Sequence, residues 1–333
     1  MARLSVVILT WNGRHHLERY MPSVVAHTSG DAEVVVADNG STDDTLLWLR
    51  INYPHIRVIS LDRNYGFAGG YNRAIKELKS EYVLLLNSDV EVTEGWWQPL
   101  VEVLDGERDV AAVAPKLLSD AERSKFEYAG AAGGFIDYLG YPFCRGRILF
   151  NVEADNGQYD DRRDVFWVSG AALCCRREVF EAMGGFDEDF FAHMEEIDLQ
   201  WRMQLAGWRI VVEPRSTVYH LGGGTLPASS TKIYLNHRNN LAMLFKCASP
   251  LQRAVVAVVR PMTDMLEALI NIVTLHPHRA WAIVRAWGLF VAWHGALDKK
   301  RKAVVRSAKP RGIYRNSIVV RYILGRRTFN NMM

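Results

Sequence analysis

The sequence predicts an α/β protein with a mainly parallel central sheet flanked by helices, followed by a C-terminal helical extension. Three observations carry this expectation. Short apolar runs alternate with helical patterns through the first 115 residues, as successive βα units do. Each run stops at a polar cluster, the pattern of strands whose carboxyl ends open onto a ligand crevice. Beyond Ser229 helical periodicity takes over.

The expected strands are Leu4 to Thr10, Glu33 to Ala37, Arg57 to Leu61, Tyr82 to Leu86 and Val110 to Ala114. Helices are expected between them, at His16 to Thr28, Thr42 to Asn52, Gly69 to Leu78 and Trp96 to Gly106. From Lys116 to Arg163, Gly130, Gly133, Gly134, Gly140 and Gly146 punctuate short aromatic stretches, which predicts loops and irregular strands around a variable pocket. Val165 to Cys175 reads as a strand and Arg177 to Met183 as a short helix stopped by Gly184 and Gly185. Asp189 to Ala206 reads as one helix, followed by two short strands, Trp208 to Glu213 and Thr217 to His220, and closed by Gly222, Gly223 and Gly224. Helices are then expected at Thr231 to Phe245, at Leu251 to Leu275 with a break at Pro261, and at Arg279 to Leu297. A domain boundary is placed near Ala228, dividing residues 1–228 from a helical region at 229–333.

The strand ends hold the chemistry. Asn87-Ser88-Asp89 leaves a buried apolar run, and a carboxylate there is placed to meet a divalent cation or a ligand. Asp38-Asn39-Gly40-Ser41-Thr42 joins a strand to a helix, so Ser41 or Thr42 can cap the helix while Asp38 accepts bonds from a ribose or base edge. Asn64-Tyr65-Gly66-Phe67-Ala68-Gly69-Gly70-Tyr71-Asn72 sets three glycines at a helix start, where free N–H groups suit a diphosphate. It lacks the dinucleotide-binding GxGxxG spacing. In the segment Phe190 to Arg202, Asp198 and Arg202 form a natural i, i+4 ion pair. Glu195 and Glu196 are then the better catalytic candidates, and an apolar wall such as Phe190 or Phe191 would raise a carboxyl pKa usefully. His220 ends a strand where its imidazole can face the same crevice as Asp89.

Composition bounds the setting. At 333 residues and 49% hydrophobic, the chain can fill a sizeable core. The net charge of +3 hides an asymmetry: from Leu297 onward there are eleven Lys or Arg against one acid, which leaves the rest near −7. A basic tail of this kind points to an anionic surface, membrane lipid or nucleic acid. Four cysteines without metal-ligand spacing read as reduced core residues of a cytoplasmic protein. No secretion signal is read at the N-terminus, and no stretch is apolar enough to span a bilayer. Ala280 to Leu297, rich in tryptophan, reads as a helix lying in an interface.

Five motifs in order, Val6 to Asn12, Asp38 to Ser41, Asn64 to Asn72, Asn87 to Asp89 and Glu195 to Leu199, resemble those of the family 2 glycosyltransferases, and within them the bacterial rhamnosyltransferase-like enzymes. The resemblance covers about Leu4 to Gly224. It implies a GT-A fold, with a nucleotide-sugar half at residues 1–115 and an acceptor and catalytic half at 116–228. It implies an inverting transfer from a nucleotide-diphosphate sugar, assisted by Mg²⁺ or Mn²⁺, in bacterial surface polysaccharide synthesis.

By the same resemblance Thr10, Asn12, Asp38, Asn64, Gly69 and Asn72 hold the nucleotide and diphosphate. Asn87-Ser88-Asp89 stands where the family carries its DxD motif, with Asn87 in place of the first Asp. Asp89 and His220 are the implied metal ligands. Glu195-Glu196 matches the family's ED pair, with Glu196 at the position of the base; the longer side chain keeps Glu195 open for that role. The expected acceptor is a saccharide or a lipid-linked saccharide; the basic tail and the tryptophan-rich helix fit a lipid-linked one met by a peripheral protein on the inner face of the cell membrane, and nucleic acid is not expected. A nucleotidyltransferase would need a longer, glycine-rich loop than Thr10 to Arg14. A catalytically silent nucleotide-sugar-binding scaffold stays open, because Asn87 and Glu196 replace commoner acids.

Overall fold

The computed structural model describes residues 2–222 and 229–333. The chain runs β1 (Leu4–Thr10), α1 (Arg14–His27), β2 (Ala32–Asp38), α2 (Thr45–Asn52), β3 (Arg57–Ser60), α3 (Gly66–Lys76), β4 (Tyr82–Asn87), β5 (Val90–Val92), α4 (Gln98–Gly106) and β6 (Val110–Ser119). Four short strands follow, β7 (Gly134–Asp137), β8 (Pro142–Cys144), β9 (Arg147–Ile148) and β10 (Asn151–Val152). Next come β11 (Arg163–Asp164), β12 (Ala172–Arg176), α5 (Arg177–Ala182), a 3₁₀ turn at Glu188–Phe190, α6 (Glu195–Leu205) and β13 (Arg209–His220). The remainder comprises α7 (Ser230–Cys247), α8 (Pro250–Val273), α9 (Pro277–Ala292), α10 (His294–Ala303), β14 (Ile313–Tyr314), α11 (Ile318–Ile323) and α12 (Phe329–Met332).

Among the described residues the main sheet has the order β11-β13-β6-β12-β4-β1-β2-β3, with β5 on β13. The half built from β3, β2, β1 and β4 is parallel, as the βα rhythm predicts. Beyond it β12 runs antiparallel to both β4 and β6, so the sheet as a whole is mixed. Strands such as β1 and β4 are buried along nearly their whole length because helices cover both faces of the sheet, which is why they read as continuous apolar runs rather than alternating ones.

Several predicted elements change, each for a visible reason. Helix α2 starts at Thr45, not Thr42, and neither Ser41 nor Thr42 caps it. Asn12 Oδ1 instead accepts the Thr42 and Asp43 N–H groups, and Ser41 Oγ accepts the Asn12 N–H, tying that turn to the exit of β1. The predicted helix over 189–206 is broken by Phe191, His193 and Met194, all at positive φ. The predicted strand over 165–175 is regular only from Ala172; Gln200 holds the backbone N–H and C=O of Val168 before that. The two strands expected around Pro214 are one, because a bulge between Glu213 and Thr217 absorbs the proline while pairing with β6 continues. Helix α8 runs through Pro261 without the expected break. The weak region 116–163 supplies four strands of a second sheet, β10-β9-β8-β7-β14, whose last strand comes from near the C-terminus.

The boundary near Ala228, with Gly223 and Gly224, lies outside the described residues. The last 37 residues are no detached arm. Strand β14 pairs with β7, and Ile318, Phe329 and Met332 are buried in the main core. Part of the tail's charge is also used within the chain: Lys300 meets Asp187 and Asp189, and Arg311 meets Asp164. All four cysteines are free and buried. No helix among the described residues is long and apolar enough to cross a membrane.

The Phe329 ring lies 5.1 Å from that of Phe135 and 5.8 Å from that of Tyr159. Phe329→Ala should therefore cost about 3–5 kcal/mol in chemical unfolding. A loss under about 0.5 kcal/mol, the range of an exposed substitution, would detach the tail from this core.

Candidate functional site

Register brings the strand-end groups together. Thr10 and Asp38 are direct neighbours across β1 and β2, and β1 pairs with β4 up to Asn87. Beyond β4 the chain turns at Asn87-Ser88-Asp89 into β5, which pairs with β13 so that Val90 faces His220. His220 Nε2 lies 3.2 Å from Asp89 Oδ1, and Nδ1 lies 3.5 Å from Glu127 Oε1. Burial alone would discharge this ring, but the two carboxylates outweigh it and raise its pKa to about 10. Burial alone would likewise raise the Asp89 pKa, and the histidine holds it below its usual value. The contact is close but poorly aligned, and both Asp89 oxygens are buried without a hydrogen-bond partner. Orphaned acceptors of this kind ask for a ligand. A carboxylate and an imidazole with a second carboxylate behind the ring fit a divalent cation that displaces the ring's proton, since only the neutral imidazole is a ligand.

The glutamates approach the same corner from the other side. Asn87 N–H donates to Ala171 O at 2.9 Å, and a Cβ on the adjacent Gly170 would sit 3.6 Å from Glu196 Cβ and 3.2 Å from the Phe67 ring. The exit of β4 and the start of α6 are therefore separated by only that two-residue segment. Burial lifts the Glu196 pKa to about 7, against the pull of the N–H groups in the first turn of α6. Burial and the neighbouring Glu196 hold Glu195 well above the carboxylate range. Each keeps one buried oxygen, Oε2, without a partner. Asp198 is engaged as predicted, 2.9 Å from Arg202 and 2.8 Å from Lys246.

The left-handed turn before α6 is held from outside. Asn239 on α7 donates its amide to the carbonyls of Phe190, Ala192 and His193 at 2.7–3.0 Å. Arg238 donates to Asp189 O and Phe190 O. On the other side Ala68 N–H donates to Phe191 O at 3.2 Å. Gly66, at φ +71°, leaves the room this needs, since a Cβ there would lie 2.5 Å from Phe191 O. Sequence reading missed Asn239 and Glu127, because neither sits in a motif; both act through side chains from distant segments.

Several predicted binding residues are turned to internal work. Asn64 Oδ1 accepts the Gly66 N–H at the start of α3, so with Ala68 two of the first turn's donors are already engaged. Asn72 bonds both N–H and C=O of Phe186, Asn12 braces the 41–43 turn, and Gly69 makes room for Tyr65 Cβ, 2.9 Å from where its own Cβ would be. Thr10 Oγ1 and Asp38 Oδ1, by contrast, are buried and unpartnered at the strand ends. Asn87 and Ser88 are half-buried beside them.

Comparison with known proteins agrees with this architecture. Residues 5–181 match the family model described as glycosyl transferase family 2. The chain is 31% identical over 263 residues to an N-acetylglucosaminyl-diphospho-decaprenol L-rhamnosyltransferase of Mycobacterium tuberculosis, spanning 71% of this chain and 85% of that protein. It is 30% identical over 190 residues to the O-antigen biosynthesis protein RfbC of Myxococcus xanthus, covering 56% of this chain and 15% of that one. Among solved structures, GalNAc-T7 with UDP, GalNAc and Mn²⁺ superposes with a TM-score of 0.60 at 18% identity, over 78% of this chain and 51% of its own. The mannosyltransferase PcManGT from Pyrobaculum calidifontis, with GDP-Man and Mn²⁺, gives 0.51 at 15% identity, over 89% and 80%. These structural likenesses establish the GT-A fold. The chain belongs to glycosyl transferase family 2 and is a glycosyltransferase close to the rhamnosyltransferases.

Proposed function

We propose that this enzyme transfers a hexose, with rhamnose the first to test, from a nucleotide-diphosphate sugar to a lipid-linked saccharide, inverting the anomeric carbon, in the assembly of a cell-surface polysaccharide. The names of the relatives support the acceptor class, one acting on a diphospho-decaprenol-linked sugar and one in O-antigen synthesis. The observation that carries the mechanism is the half-buried Glu196, with its raised pKa and a buried, free Oε2, one short segment from the Asp89 and His220 corner.

In this reading Thr10, Asp38, Asn87 and Ser88 meet the nucleotide side of the donor. Asp89 and His220 would hold Mg²⁺ or Mn²⁺, which when bound neutralises charge on the departing diphosphate. Glu196 takes the proton from the acceptor hydroxyl as that oxygen bonds to the anomeric carbon. The bond from that carbon to the diphosphate oxygen breaks, and the diphosphate leaves with the electron pair. Burial suits Glu196 to this work, because a base with a pKa near the working pH is both deprotonated and strong enough to accept the proton. Glu195, held protonated beside it, keeps a second negative charge from competing. The peripheral placement on the inner membrane face belongs to the same reading, since a lipid-linked acceptor is presented there.

Glu196→Gln should leave donor affinity within about twofold and lower turnover by ~10²-fold or more, the size of a lost general base; near-normal turnover would shift the role to Glu195. Asp89→Ala should abolish the Mn²⁺-dependent part of nucleotide binding in calorimetry. Unchanged affinity with and without Mn²⁺ would remove Asp89 from the metal site.

A further inference from the structure

Helix α8 is built inside out. Its buried positions include Gln252, Arg260 and Asp264. Arg260 bonds Asp264, the Leu139 carbonyl at 2.9 Å and Asn240 Oδ1 at 2.6 Å. Trp287 donates to Asp264 at 3.0 Å, and Gln252 to Tyr138 O at 3.0 Å. The opposite face carries a stripe at helical spacing, Val258, Met262, Leu266, Ile270 and Val273, continued across the turn into α9 by Trp281. Each of these is more than half exposed. A surface helix ordinarily shows water the reverse arrangement. Rotating α8 to bury the stripe would strand Arg260 and Asp264, so the polar contacts fix the apolar side outward.

The surroundings say what covers it. From Pro250 to Met333 there are fifteen Lys or Arg against three acids, and two of those acids, Asp264 and Asp298, are paired with arginines. Arg279 and Arg285 flank Trp281, are exposed and make no ion pair among the described residues. Two copies apposed through this face would bring like charge together. An anionic bilayer offers apolar chains and negative headgroups at once, and no described helix can cross it. We infer that the outer face of α8, with the turn into α9, is a membrane-docking surface that lies in the headgroup region of an anionic bilayer. At 24 residues it would extend about 36 Å along the membrane plane. This differs from the sequence expectation, which placed the contact on the tryptophan-rich helix: Trp287 is turned inward to Asp264, and Trp293 is stacked against Arg238.

The inference deepens the reading of a lipid-linked acceptor, and flotation without donor or acceptor tests it independently. The full chain should float with vesicles of phosphatidylglycerol and phosphatidylcholine and at least tenfold less with phosphatidylcholine alone. Leu266→Glu/Ile270→Glu should reduce flotation at least tenfold while leaving the thermal midpoint and Mn²⁺-dependent nucleotide binding unchanged. Flotation of that variant equal to the parent, or none by the parent, overturns the assignment. So does a dimer of the parent in light scattering that the variant dissolves, since a second copy then covers the face.

Discussion

Phe191, His193 and Met194 all stand at positive φ within four residues, a conformation that costs a non-glycine residue about 1–2 kcal/mol. The turn persists because the single amide of Asn239 satisfies three of its carbonyls while Gly66 and Ala68 receive it from the sheet side. That bracket is what the site depends on. It ends the 3₁₀ turn, redirects the chain, and starts α6 with Glu195 buried and Glu196 half-buried. A continuous helix through this stretch would carry the two glutamates away from the exit of β4. Backbone strain held by surrounding contacts at such a place is a common accompaniment of function.

Among the described residues, most of the unsatisfied carboxylate oxygens lie around this edge of the sheet, while Thr45 Oγ1 and Ser80 Oγ are unsatisfied elsewhere. Thr10 Oγ1, Asp38 Oδ1, both oxygens of Asp89, and Oε2 of Glu195 and Glu196 are buried without partners, each at a cost of about 1–3 kcal/mol. Elsewhere buried charge is answered, as where Lys246 reaches both Asp187 and Asp198. The contrast separates the site from the scaffold. The pairing also brings in the downstream histidine despite its distance in sequence: β5 folds back onto β13 and sets His220 against Asp89, with Glu127 3.5 Å from the far side of the ring.

Much of this was legible in the sequence where the signal is local. The apolar runs of β1, β2 and β4, the polar residues that stop them and the Asp198–Arg202 spacing are properties of neighbouring residues, and they stand as read. What failed depended on distant partners. The helix over 189–206 had good periodicity, and only Asn239 and Arg238, nearly fifty residues on, show why it breaks. The packing role of the glycines at 66 and 69, whose missing side chains make room for Phe191 and Tyr65, was likewise invisible. The Lys116 to Arg163 region hid a sheet because its strands are two to four residues long and one partner, β14, lies near the C-terminus.

We propose that the bracketed turn shields the half-buried Glu196 from water and so sets its basicity. The pH dependence of kcat in the parent and in Asn239→Ala tests this most directly. Because a base works deprotonated, activity of the parent should rise with pH through about 7, the value to which burial lifts Glu196. Loss of the Asn239 amide should admit water and move that limb toward the ordinary glutamate value of about 4.3, with lower turnover. A limb that stays near 7 in the variant would contradict the account.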